Sequence, residues 1–263
     1  MNRPLFIGSF GGPKVGKTKF AASVFDSVYI DPTRVFYADN HGSTDAMNLP
    51  QWSTTERWGV KHYASDNPEA LYKDLFAIRK EVRAGRQKYD VIVIDDWSEF
   101  AQADIDERMD EDEGDRMAMK NWGAHGDLMR STAKLVFPRV TGAHHIGIFQ
   151  ATQMPDPLEM REKEVNSSGK LVFSSDVRET MLRPFLQGAF ASYLPYKLDF
   201  LGLQTAEMKG KNFKFQLQLV PSKEAAVMSR WLQPWVDDPK RPTHMENPTF
   251  DKLFDLFTSF GSP

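Results

Sequence analysis

The chain contains no cysteine, which excludes disulfide bonds and thiolate metal sites and fits a reducing compartment. Its six histidines are scattered and form no H-E-x-x-H or related spacing, so no metal is expected beyond one brought by a nucleotide. No apolar run approaches the length needed to span a bilayer, and Leu5 to Phe10 is too short for the core of a signal peptide. Strong net charge is also missing: 33 Lys and Arg stand against 36 Asp and Glu, a formal −3. That excludes a generally basic protein that coats nucleic acid, while leaving room for a local basic groove. What remains is an ordinary globular composition, 41% hydrophobic and 26% charged over 263 residues, enough for one substantial core.

Against this background one stretch stands out. Gly11-Gly12-Pro13-Lys14-Val15-Gly16-Lys17-Thr18 matches G-x-x-x-x-G-K-[ST] at every fixed position. The glycines let successive backbone N–H groups turn inward around phosphates, Lys17 reaches the β and γ oxygens, and the Thr18 hydroxyl ligates Mg²⁺. Leu5 to Gly8 reads as a buried strand entering the loop, and Lys17 to Phe25 as the helix leaving it, its positive end aimed at the anion. Residues Gly11 to Lys19 are therefore the expected nucleotide-binding segment, with ATP and Mg²⁺ as the expected ligands.

Further along, Val35 to Ala38 is a second apolar run, closed by the turn-rich Asp39-Asn40-His41-Gly42. Leu71, Leu75, Ile78 and Val82 recur at helical spacing, and Gly85 stops that helix. Val91-Ile92-Val93-Ile94 shows no alternation, the mark of a strand buried on both faces. A helix follows from about Trp122 to Phe137, then a strand His145 to Phe149. Alternating strands and helices predict an α/β fold with a mainly parallel central sheet flanked by helices. Met154 to Thr180 reads as a long loop, and Thr205 to Val220 as a β-hairpin turning at Lys209-Gly210-Lys211-Asn212. Residues 1–233 are expected to form the main domain, and 234–263 a proline-rich linker and terminal helix. Asn247-Pro248 looks like that helix's N-cap and N1, and Phe250, Leu253, Phe254 and Phe257 form its apolar face.

Asp95 ends the buried strand, where a P-loop protein holds its Mg²⁺ through a carboxylate; Asp96 follows, and either could serve. The order of P-loop, Val91 to Asp95, Trp122-Gly123, Phe149-Gln150-Ala151-Thr152-Gln153, a long loop, and Tyr193-Leu194-Pro195-Tyr196 with Leu198-Asp199-Phe200 resembles the short RecA-like ATPases of bacteriophages. The resemblance spans roughly residues 4 to 220. It implies a RecA-like P-loop NTPase that binds single-stranded DNA as a homo-oligomer in recombination or annealing, in the cytoplasm of a bacterial host and alongside a single-strand DNA-binding protein. By position it implies that Gln150 or Gln153 senses the γ-phosphate and relays its state to the loop 154–180, whose Arg161, Lys163, Lys170, Phe173 and Arg178 would contact DNA. It also implies that Lys209 and Lys211 reach into a neighbouring subunit's ATP site. One departure is plain. The glutamate that such proteins carry after the second strand is absent, leaving Asp39 or His41 as the general base and slow turnover as a consequence.

Other readings compete. A P-loop small-molecule kinase needs an arginine-rich lid, and the arginines of 154–180 are sparse and offset by acids. A nucleotide-gated adaptor with little turnover fits the missing glutamate. Asp104 to Asp115 holds eight acids and one Arg. It fails the calcium-loop spacing, because Asn121 stands where the bidentate Glu belongs, and it reads as a solvated acidic segment. His144 and His145 read as flanking a core strand.

Overall fold

The computed structural model describes residues 3–63, 68–111, 117–155, 164–165, 171–172, 180–186, 188–209, 212–222, 225–229 and 242–259. The strands are β1 (Phe6–Gly11), β2 (Val35–Asp39), β3 (Gly59–His62), β4 (Val91–Asp95), β5 (His144–Pro155), β6 (Glu164–Val165), β7 (Leu171–Val172), β8 (Thr180–Pro184), β9 (Phe200–Lys209), β10 (Asn212–Gln218), β11 (Met228–Ser229) and β12 (His244–Glu246). All but β6 and β7, which pair with each other, join a 10-stranded sheet in the order β12-β10-β9-β1-β5-β4-β2-β3, with β11 on β9 and β8 on β5. Pairing from β9 through β1, β5, β4 and β2 to β3 is parallel. The additions β8, β10, β11 and β12 are antiparallel.

This is the α/β fold expected from the sequence: a mainly parallel sheet flanked by helices, with a C-terminal hairpin and helix. The unbroken aliphatic runs are the reason. Along β4 the side chains of Val91 and Val93 enter one core and those of Ile92 and Ile94 the other, so both faces of the sheet must be covered. One face carries α2 (Pro68–Arg83), α3 (Trp97–Glu111) and α4 (Met119–Val136), packed around Phe6, Phe36, Trp97 and Phe149. The other is covered by the short α1 (Lys17–Ala22) and by the terminal helix Phe250–Ser259, around Ile7, Phe20, Ile146 and Ile148.

Several elements differ from the sequence expectation. The first helix stops at Ala22 and continues as a 3₁₀ turn, Ser23–Asp26. Helix α4 begins at Met119 rather than Trp122, and β5 runs on to Pro155 because β8 pairs with its extension. The terminal helix is capped by Thr249, whose hydroxyl accepts from Lys252 N at 3.3 Å, and not by Asn247, which takes φ 44°. As its apolar face predicts, that helix docks on the chain's own core, where Phe250, Leu253 and Phe257 are buried. The acidic segment is also not uniformly solvated. Asp104 is buried in α3, held by Arg108 through two bonds of 2.9 Å and by His125 Nδ1 at 2.7 Å. Burial works to raise its pKa, but these cationic and ring donors outweigh it and hold the carboxyl below its ordinary value. Among the described residues, no helix is long and apolar enough to cross a membrane.

Candidate nucleotide site

Parallel strands end on one edge of the sheet, and that edge collects the chemistry. Gly11 lies beside Gln150 in the β1–β5 register, and Asp39 beside Asp95 in the β2–β4 register. The loop after β1 therefore opens onto the carboxyl ends of β4 and β5, where open α/β sheets place their ligands. A cleft of ≈ 610 Å³ results, lined by the P-loop together with His41, Ser43, Met47, Asp95, Asp96, Gln150 and Phe215.

The loop's backbone explains its glycines. Gly16 sits at φ 93°, and a Cβ there would lie 2.7 Å from the Phe215 ring. A Cβ on Gly11 would lie 2.5 Å from the Gln204 carbonyl oxygen. Gly16 is also the N-cap of α1 and supplies no side-chain cap; its carbonyl accepts the first helical bond, from Phe20 N at 2.9 Å. The N–H groups of the first turn, uncapped by any side chain, belong to the same loop that lines the cleft, an arrangement suited to an anion. Lys17 Nζ donates to Gly11 O at 3.0 Å and Gly12 O at 2.7 Å, so the ammonium lies over the loop. Burial lowers its pKa, and Asp96 and Asp95 work against that shift.

Asp95 and Asp96 divide their roles. The Asp95 carboxylate is 3% exposed and accepts from Tyr37 Oη at 2.7 Å and from Ser43 Oγ at 3.1 Å. Burial raises its pKa, with Tyr37, Thr18 and Ser43 opposing. Asp96 instead caps α3, its Oδ1 accepting from Glu99 N at 2.6 Å. Burial pushes its carboxyl up to about 7, with the negative charges of Asp95 and Glu99 adding to the shift. Thr18 and Asp95 are thus the pair suited to hold Mg²⁺. The donor set of hydroxyl and carboxylate oxygens beside a phosphate cradle is what that hard cation requires. Mg²⁺ bound there would neutralise charge on the phosphate oxygens.

Asp39 is not brought to the cleft. Its Oδ1 accepts from His41 N at 3.0 Å and Ser43 N at 3.2 Å, and its Oδ2 from Thr44 N at 3.0 Å and Thr44 Oγ1 at 2.5 Å. Burial alone would raise its pKa, but these donors prevail and hold it below the ordinary carboxylate range. It is the anchor of the turn that presents His41 and Ser43. Gln150 does line the cleft, whereas Gln153 lies further along β5, opposite Leu182. Lys209 is exposed at the far end of β9, 3.8 Å from Glu207, and does not line this chain's own cleft. Lys211, Arg161, Lys163, Lys170, Phe173 and Arg178 lie outside the described residues.

Sequence reasoning missed Tyr37, Ser43, Met47, Glu99 and Phe215. Two of them had a signal. Phe215 lies on the same face of β10 as the buried Leu217, and Asp96-x-x-Glu99 has the spacing of a capping box at the start of a helix. Phe215 joins the cleft to a second cavity of ≈ 450 Å³ that shares Gly16, Lys19 and Met47 and is closed by Asn247, Thr249 and Lys252. Lys19 Nζ stands 5.4 Å from the centre of the Phe215 ring.

Fold and site together define an α/β protein with a P-loop at the carboxyl edge of a mainly parallel sheet. No family model matches the chain, and no curated protein matches it in sequence. Among solved structures it is similar to the flagellar accessory protein FlaH from Methanocaldococcus jannaschii, at 13% identity and a TM-score of 0.40, over 87% of this chain and 84% of that one.

Proposed function

We propose that this protein is a P-loop ATPase that binds Mg²⁺·ATP across the carboxyl edge of its sheet and hydrolyses it. The observation that carries this reading is one cleft lined together by Lys17 and Thr18 of the loop and by the buried Asp95 at the end of β4. A glycine turn without nucleotide chemistry has no need of a buried carboxylate lining the same cleft. The second cavity supports the same reading. It continues from the loop past Gly16 and Lys19, the direction in which a nucleotide extends from its phosphates, and offers the Phe215 ring and the Met47 thioether to a base.

In its finer form the proposal adds single-stranded DNA as the effector, a homo-oligomer as the working species, and recombination or annealing of phage DNA as the process. The resemblance of the motif order supports this form. So does the continuity of β5, which carries Gln150 at the cleft and runs directly on to Pro155. The test is ATP turnover with and without single-stranded DNA, alongside calorimetric titration of ATP into the parent and Lys17→Ala proteins. Lys17→Ala should bind at least tenfold more weakly. Equal affinity would overturn the P-loop assignment, and turnover indifferent to DNA would overturn the finer form alone.

A further inference from the structure

We infer that Glu99, from the first turn of α3, is the carboxylate that takes the proton of the attacking water. The inference rests on the ATPase reading above and supplies the base that the second strand lacks.

The local sequence places Glu99 unusually. Asp96 caps α3 through Glu99 N, which makes Glu99 the third residue of the helix. There a glutamate ordinarily folds back onto the capping residue's own N–H. Here the side chain instead reaches across to β5. Its Oε1 accepts a hydrogen bond from Gln150 Nε2 and lies 3.8 Å from His41 Nδ1. Both of those residues line the nucleotide cleft, one from the end of β5 and one from the turn after β2. The neighbouring Ser98 holds this arrangement, its Oγ accepting from Gln150 N at 3.0 Å and donating to Phe185 O at 2.7 Å. Glu99 is thus held between the two side chains that border the cleft beside Asp95 and Asp96.

The rival carboxylates are otherwise engaged. Asp39 accepts five bonds from its own turn. Asp95 is bound by Tyr37 and Ser43, and Asp96 caps the helix. Glu99 keeps one oxygen for Gln150 and leaves the other for water. With its Nε2 turned to Glu99, the Gln150 amide leaves Oε1 to accept from the same water and orient it. In the step itself, the water oxygen forms a bond to the γ-phosphorus and the bond from that phosphorus to the bridging oxygen breaks. The electron pair leaves with ADP. The water proton passes to Glu99 and then to solvent, with His41, 62% exposed, on the exit side.

Glu99→Gln is the discriminating variant. Glutamine can still accept from Gln150 Nε2, so positioning is retained, but it cannot take a proton. We expect kcat to fall by about a hundredfold or more, the usual contribution of a general base. ATP affinity by calorimetry should stay within threefold, and quenched samples should show intact ATP retained on the variant while the parent holds ADP. Glu99→Gln turning over within threefold of the parent, or losing ATP affinity as Lys17→Ala does, would overturn the inference. A parent that binds ATP and never hydrolyses it would overturn the ATPase reading and this inference together, so the two failures are distinguishable.

Discussion

Acid should unfold this protein through one buried imidazole, His145, and the effect can be sized. His145 is fully buried in β5, bonded to Ile92 O through Nδ1 at 3.0 Å, while its Nε2 accepts from Trp97 Nε1 at 3.3 Å. Burial drives its pKa from 6.5 down to about 3. The unfolded chain therefore binds a proton between about pH 6.5 and 3 that the native state refuses. Stability from this group is complete above pH 6.5 and is lost as pH falls towards 3. At pH 4.5 the loss is about 3 kcal/mol, a large fraction of the roughly 5–15 kcal/mol that a domain possesses. His144, whose pKa burial lowers to about 4, adds to the loss. The consequence reaches the site, because Trp97 opens the helix that carries Glu99 and β5 carries Gln150. Urea denaturation followed by tryptophan fluorescence should be run from pH 4 to 8 on the parent and on His145→Gln. Glutamine can supply one donor and one acceptor without titrating. Between pH 4 and 6 the parent's stability should climb more steeply than the variant's, by about 1.4 kcal/mol per pH unit. Parallel curves over that window would refute the reasoning, whatever constant offset the altered packing introduces.

Thr18→Ala and Asp95→Asn should each weaken Mg²⁺·ATP binding, and the double variant should lose less than the sum, because both oxygens would serve the same ion in one cleft; strict additivity in calorimetry would separate the two residues. Phe215→Ala should cost ATP about tenfold in affinity, consistent with a stacking contribution of about 1.4 kcal/mol, and leave inorganic triphosphate unchanged. Equal losses for both ligands would remove the base from the second cavity. Asp39→Asn should lower the urea midpoint by loosening the turn at 41–44, costing about 1–3 kcal/mol, and should reduce kcat less than Glu99→Gln does. A kcat at background with unchanged stability would return the base role to Asp39.

The P-loop, the Asp at the end of β4, and the parallel α/β class were all legible in the chain, because each is local. Eight consecutive residues shape their loop by their own backbone freedom, and a short run of four β-branched aliphatic residues without alternation suits a strand covered on both faces. His144 and His145 were legible for the same reason, lying within a short apolar strand. What the chain alone left open was every question of which distant groups meet. Asp39 and Glu99 are both acids near the ends of strands. One is consumed by the N–H groups of its own turn and the other is bonded to a residue that lines the cleft, a difference that depends on Thr44 N reaching Asp39 and on Gln150 arriving from β5. Phe215 meets Gly16 only because β10 folds back on β9, which lies beside β1. Local backbone chemistry is written in neighbouring residues. Which carboxylate stays free and which ring faces the loop depend on hydrogen bonds and contacts across the sheet, and these exist only once it has formed.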